Sequence, residues 1–225
     1  MAEDIRPLSQ YDRIVTFCRE HSGRGRGNVP RRVDHDERRR QIAEAVLRIA
    51  AGRGLEAVSM REVAAEAGVS IGRVQHYFAS KDQMLVFAAG RLREHLEQRI
   101  RRGLPAAGPP HAPLRSLRAV LVALLPLDRD GREDARAGAA VLIRALGEAE
   151  LAERYRSGRS DIVATMAEWL RSAADAGELR GDLDPGLEAS VLLALVGGLA
   201  SDLLLGHHTP EQAIAIIDHQ LKRLS

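Results

Sequence analysis

The chain is predicted to fold as an all-α protein, and three observations carry that prediction. Apolar residues make up 45% of its 225 residues but aromatic residues only 3%, so the core must be Leu, Val, Ile and Ala, which suits packed helices better than a sheet. Apolar positions recur at helical spacing along most of the chain, and no strand-like alternation competes with them. Cap residues, glycines and prolines divide this pattern into helix-length pieces.

The first element is an extension. Residues 22–33, SGRGRGNVPRRV, are rich in Gly and Arg and have no hydrophobic periodicity. Such a segment buries too little apolar surface to offset the entropy of ordering, so residues 1–35 are expected to be flexible. Tyr11, Ile14, Val15 and Phe17 within it have the spacing of a short helix. A regular helix is expected at about residues 36–53, where Ile42, Ala43, Val46, Leu47, Ile49 and Ala50 form a continuous apolar face. Arg38, Arg39 and Arg40 stand near its expected start, where positive charge opposes the helix dipole. They suit a solvated charge run or a negatively charged partner equally.

Residues 59–81 carry the most information. Ser59, followed three residues on by Glu62, reads as a capping box. Met60, Val63, Ala64 and Ala67 then form one apolar stripe, and Gly68 stands where the chain must leave the helix through a left-handed backbone. Ser70 restarts a helix as its cap. In this second helix Ile71, Val74 and Phe78 share the arc expected to face the core, while Gly72, Arg73 and His76 occupy the opposite arc with Gln75 and Tyr77 beside it. Two short helices joined by a glycine turn, the second with a polar and basic outer face, make a helix-turn-helix DNA reader. The competing reading is an ordinary helical hairpin.

A second capping box, Ser80 to Gln83, opens a helix towards residue 102, and GLPAAGPPHAP at 103–113 breaks it. Apolar helical patterns follow at about 114–125, 132–147, 149–156, 159–177, 187–205 and 210–224. The segment 191–205 is apolar nearly all round. The last helix presents a wide arc of Ala213, Ile214, Ile216, Ile217, Leu221 and Leu224. One domain of this size can scarcely cover both, and Gly197 and Gly198 at mid-helix cost about 1 kcal/mol each relative to Ala unless a second helix approaches closely. We expect a four-helix interface between two subunits, with Val196, Gly197, Leu199, Ile217 and Leu221 in it. A wholly intramolecular core is the alternative.

The motif A-x-x-A-G-V-S-x-G-x-V-x-x-Y-F-x-x-K at residues 64–81, preceded at the right distance by the helix at 36–53, resembles the DNA-binding segment of TetR-type transcriptional regulators. The match covers roughly residues 36–90, and the remainder fits only as a helical pattern of suitable length. Many members of that family carry Tyr where this chain has Gln75, so the contact made there differs in kind. The resemblance implies nine or so helices. Three form a DNA-binding head, here residues 36–82, and the rest a ligand-binding and dimerising body, here 83–225.

Expected base contacts fall to Gly72, whose lack of a side chain lets the backbone approach, and to Arg73, Gln75 and His76. Ser59, Arg61, Ser70, Tyr77 and Lys81 are assigned to phosphate through the family positions they match. Arg24, Arg26, Arg31 and Arg32 of the extension form a candidate minor-groove arm, which an A·T tract would attract. Tyr155, Ile162, Met166 and Trp169 are candidates for an apolar effector pocket, with plain core as the competing reading. Asp161 and Glu168 would favour a cationic ligand only if they turned inward. The expected partners are a near-palindromic double-stranded operator, a second copy of the chain and a small-molecule effector, and no cofactor is implied. Repression is the expected sign of control, because a dimer over a promoter blocks access by occupancy.

Charge and cysteine usage agree with this reading. Residues 1–102 hold 20 Lys/Arg against 14 Asp/Glu, whereas residues 103–225 hold 13 against 17. A basic head on an acidic body suits a DNA reader with a separate sensing domain. Cys18, the only cysteine, excludes an intrachain disulfide or a cysteine metal cluster and points to a reducing compartment. With no signal segment, and with 191–200 as the longest apolar stretch, too short to span a bilayer, the expectation is a cytoplasmic protein.

Two rival readings compete with this one. Residues 68–72, GVSIG, formally match the G-x-S-x-G elbow of serine hydrolases, but an elbow needs a buried strand before the serine, and REVAAEAG is an amphipathic helical pattern. The adjacent His207 and His208 point apart on a helix and make a weak metal pair. An architectural DNA binder without a ligand would leave a body of over a hundred residues with little to do.

Overall fold

A computed structural model of the chain describes residues 30–104 and 113–225. Nine α-helices make up the described residues, with one short 3₁₀ turn at Leu55–Ala57 and no strand among them. In order they are α1 Pro30–Arg53, α2 Met60–Ala67, α3 Ile71–Tyr77, α4 Lys81–Gly103, α5 Pro113–Ala123, α6 Arg129–Ala145, α7 Ala149–Asp175, α8 Pro185–Leu205 and α9 Pro210–Leu224.

Two cores divide the molecule. The head core gathers the apolar face of α1, from Ile42 to Ala50, with Val63, Ala64 and Ala67 of α2, Val74 and Phe78 around α3, and Met84, Leu85 and Ala88 of α4; Ala137 of α6 closes it. The body core joins Leu117 and Leu121 of α5, Met166, Trp169 and Leu170 of α7, one face of α8, and Ala213, Ile217, Leu221 and Leu224 of α9. Helix α4 belongs to both units. Its first turns pack in the head core while Ile100 and Leu104 at its far end pack against the body core.

Caps fix the helix starts as side-chain chemistry dictates. Asp184 accepts the N–H groups of Gly186 and Leu187 ahead of Pro185. Thr209 and Gln212 close a reciprocal capping box in front of α9. Arginines satisfy several orphan carbonyls: Arg99 donates to Ala123 O at the end of α5, and Arg132 to Leu203 O near the end of α8.

Several expectations are corrected. Helix α1 begins at Pro30 rather than 36, Pro being pre-organised for a first helical position. Arg38, Arg39 and Arg40 therefore lie well inside the helix, and the dipole argument lapses. Arg38 donates to Gln41, Arg40 pairs with Glu37, and the Arg39 guanidinium lies 4.5 Å from the Phe87 ring centroid and 5.1 Å from that of Phe78. The patterns at 149–156 and 159–177 form one helix of 27 residues, because Gly158 weakens a helix without breaking one that is packed along its length.

Val196, Leu199, Ile217 and Leu221, expected between subunits, are buried in the body core; of the five named, only Gly197 is exposed. The outward face of α8 is a different stripe: Leu187, Val191, Ala194, Gly198, Ser201 and Leu205, spaced alternately by four and three residues. Leu187, Val191 and Leu205 are 66%, 50% and 71% exposed. At 21 residues α8 is long and apolar enough, by length and composition, to cross a membrane, contrary to the shorter stretch expected. Its inner face packs in the body core as part of a helical bundle. Arg24, Arg26 and the Tyr11 to Phe17 pattern lie outside the described residues, as does most of the break at 103–113. Arg31 and Arg32 fall in the first turn of α1, and their side chains also lie outside what is described.

Candidate nucleic-acid interface

The turn between α2 and α3 is built as the residues dictate. Gly68 adopts φ 65°, in the left-handed region, and Val69 N–H returns 2.9 Å to Ala64 O, which closes α2 with a Schellman-type wrap. Ser70 Oγ accepts the Arg73 N–H at 3.2 Å and starts α3. The box at Ser59 is half made: Ser59 Oγ accepts Glu62 N–H at 3.2 Å, but the Glu62 carboxylate turns to Arg53 at 2.8 Å. That ion pair, with Arg48 to Glu66 at 2.7 Å, straps α2 to α1. At Ser80 the glutamine of the second box bonds one residue earlier, Gln83 Oε1 accepting Ala79 N–H at 2.6 Å.

Val74 and Phe78 seal α3 into the head core, leaving Gly72, Arg73, Gln75 and His76 exposed together on its outer side. A Cβ built on Gly72 would meet nothing within 4 Å, so the fold itself does not require glycine there. Ile71 was expected in the core and is instead 45% exposed. Angle alone put it on the inner arc, but the opening turn of so short a helix overhangs the core that Val74 and Phe78 reach.

The phosphate candidates divide. Ser59, Ser70 and Arg61 are exposed, and each serine that caps with its lone pairs keeps an O–H to donate outward. Tyr77 is half-buried, its ring edge-on to His35 of α1 at 4.7 Å and to His76 at 5.2 Å. His35 was missed by sequence reasoning, since nothing local ties it to a residue 42 positions on. Lys81 is half-buried, and its Nζ donates to Leu55 O at 2.9 Å. It is a structural tie between the 3₁₀ turn and α4 whose remaining N–H donors are free for another acceptor.

Beneath this surface, a charged knot joins head to body. His95 of α4 lies between two carboxylates, with Nδ1 2.9 Å from Asp134 of α6 and Nε2 3.2 Å from Glu44 of α1. Arg91 also binds Glu44 at 2.9 Å and pairs with Glu94, while Arg99 binds the other oxygen of Asp134. The bonds to Asp134 and Glu44 outweigh burial and raise the His95 pKa to about 9, so both ring nitrogens carry protons at neutral pH. Burial pushes the Glu44 carboxyl up, but hydrogen bonds from His95 and Arg91 hold it below its ordinary range.

Other candidates fare differently. Met166 and Trp169 are fully packed core, Ile162 borders that core, and Tyr155 is 44% exposed. Fourteen residues separate Tyr155 from Trp169, about 21 Å along a helix, so these four do not come together around one cavity. Asp161 faces Arg93 at 3.9 Å. In the GVSIG segment, Ser70 follows helix α2 and caps α3, the opposite of a strand-borne nucleophile. His207 and His208 both face Asp202, and no group of three metal-ligating side chains occurs among the described residues.

A packed head with an exposed polar reading helix, joined by a shared helix to an all-helical body, defines a class of helix-turn-helix regulator. Residues 42–86 match the model for bacterial regulatory proteins of the tetR family, and residues 113–225 match the C-terminal model of BetI-type transcriptional repressors. The chain belongs to the TetR family of DNA-binding transcriptional regulators, not to an enzyme family. It is 30% identical over 177 residues to the HTH-type transcriptional regulator PksA of Bacillus subtilis, covering 79% of this chain and 83% of that protein. A crystal structure of a transcriptional regulator from Rhodococcus sp. RHA1 superposes with a TM-score of 0.72 at 34% identity, over 83% of this chain and 95% of that one. A regulator from Saccharomonospora viridis, solved in complex with choline, has the same fold, with a TM-score of 0.72 at 23% identity over 83% and 96% of the two chains.

Proposed function

We propose that this regulator is an effector-responsive repressor, acting in the cytoplasm as a homodimer whose two α3 helices enter successive major grooves of a near-palindromic operator. The observation that carries this reading is the outer side of α3, where Gly72, Arg73, Gln75 and His76 are exposed with no role in the head core. Arg73, Gln75 and His76 read base edges, and Gly72 lets the backbone close on the groove. Ser59, Arg61, Ser70, Tyr77 and Lys81 hold phosphates. Arg24, Arg26, Arg31 and Arg32 add a basic arm towards the flanking minor groove; deleting residues 1–33 lowers affinity most on A·T-rich flanks, and unchanged affinity removes the arm.

The exposed stripe of α8 supports the dimer. It is apolar, centred on small residues, and the positions of Cβ atoms on Gly197 and Gly198 are open, so a second α8 can lie close. We assign the interface to Leu187, Val191, Ala194, Gly198 and Leu205 with Gly197 beside them, in place of the residues expected from sequence. Covering by a partner subunit is favoured over lipid because the other face of the same helix is bound into a bundle with α7 and α9.

The effector is proposed to enter the body at α5, in place of the four residues expected from sequence. Fully buried Ser116 of α5, whose Oγ finds no hydrogen-bond partner among the described residues, supplies the polar anchor that mostly apolar pockets use. Effector binding that favours a head spacing unlike that of the half-sites releases DNA with a few kcal/mol of differential affinity. Gel-shift of the protein on DNA upstream of its own and neighbouring genes, repeated with a panel of small molecules that includes choline, tests the whole reading. A retained complex released by one compound is the expected result; binding to all DNA alike overturns it.

A further inference from the structure

Among the described residues, every exposed large apolar side chain lies in the body except one, Ile71. It neither joins the head core nor packs on its border, so the fold gives no reason for a stiff, β-branched apolar group at this position. It stands in the opening turn of α3 beside the bare backbone of Gly72, with Gln75 one turn further along the same flank. Unmodified DNA presents one apolar group in the major groove, the C5 methyl of thymine, and side chains that contact it are themselves apolar.

We propose that Ile71 is a specificity-determining residue of the α3 reading surface, selecting thymine at one position of each half-site by packing on its C5 methyl. Gln75 on the same flank has the donor and acceptor pair that fits an adjacent adenine edge, so the two would read neighbouring base pairs. Arg73, on the far flank, reads a different part of the half-site. The inference rests on the proposed entry of α3 into the major groove.

The test uses the full chain and an operator selected from a random-sequence duplex pool. Each thymine of one half-site is replaced in turn by deoxyuridine, which removes only the methyl, and affinity is measured for wild type, Ile71→Val and Ile71→Ala. Wild type should lose roughly fourfold at one thymine, the worth of about one buried methyl group. Ile71→Ala should lose affinity for the parent operator by a similar or larger factor and be indifferent to that same replacement, with Ile71→Val in between. Because Ile71 lies outside the core, all three should melt alike. An Ile71→Ala protein as sensitive as wild type to every deoxyuridine, or a wild type indifferent to all of them, overturns the assignment to Ile71. A wild type that selects no sequence from the pool overturns the reading of α3 as well.

Discussion

Arg73 and Lys81 were both expected at the DNA, and their surroundings separate them. Arg73 is exposed on the outer side of α3 and makes only its backbone contribution to the Ser70 cap. Arg73→Ala should therefore leave the melting temperature unchanged and relax discrimination at particular base pairs, by ~1–3 kcal/mol each. Lys81 also binds Leu55 O, so Lys81→Ala should weaken binding to all sequences evenly, lower its salt dependence by about one ion and cost about 1 kcal/mol of stability. Parallel competition assays and melts check both. Gly72 offers a third contrast: with open space around it, Gly72→Ala should stabilise the head by roughly 0.5–1 kcal/mol. Operator affinity should nevertheless fall, because the added methyl meets DNA and not protein. Equal affinity would mean that the groove does not close on this backbone.

At the scale of elements, the seam between α1, α4 and α6 has a defined pH dependence. His95 faces Glu44, Asp134 and Arg91, with Glu94 and Arg99 alongside. Its pKa is raised from 6.5 to about 9 in the fold, so its contribution is complete below 6.5, declines above it, and is lost as pH passes about 9. Glu44, held below its ordinary value of 4.5, works in the opposite sense, contributing above that pH and failing in acid. Melting temperature should fall on the alkaline side between about pH 6.5 and 9, and His95→Gln should flatten that limb. The same slope in wild type and variant would show that other groups produce it. The helices themselves were largely legible beforehand, because caps and apolar spacing act within a few residues. The join of α7 across Gly158 was not, since whether a glycine ends a helix depends on what packs to either side of it.

For the whole molecule, assembly turns on the outward stripe of α8. Val191→Asp and Gly198→Leu change the outward stripe without touching the body core, so each should shift sedimentation from dimer to monomer at micromolar concentration while retaining helical content. Operator affinity should collapse with the dimer, because two heads bound as a unit gain an effective concentration that single heads lack. A wild-type protein already monomeric under those conditions would defeat the interface. Leu192→Asp, on the buried face of the same helix, should instead unfold the body, since a lone charge in an apolar core has nothing to pair with.

The sequence by itself determined the all-helical architecture, the glycine-turned helix pair and the polar outer side of its second member. Those follow from periodicity, caps and one left-handed residue, all properties of adjoining positions. Tertiary structure alone decided which apolar groups are covered. It turned Ile71 outward, took Val196, Leu199, Ile217 and Leu221 into the subunit, exposed Leu187 and Val191, and set Arg39 against two phenylalanine rings. Burial depends on which distant segment arrives at a given face, and the spacing of residues along one helix carries no record of that arrival.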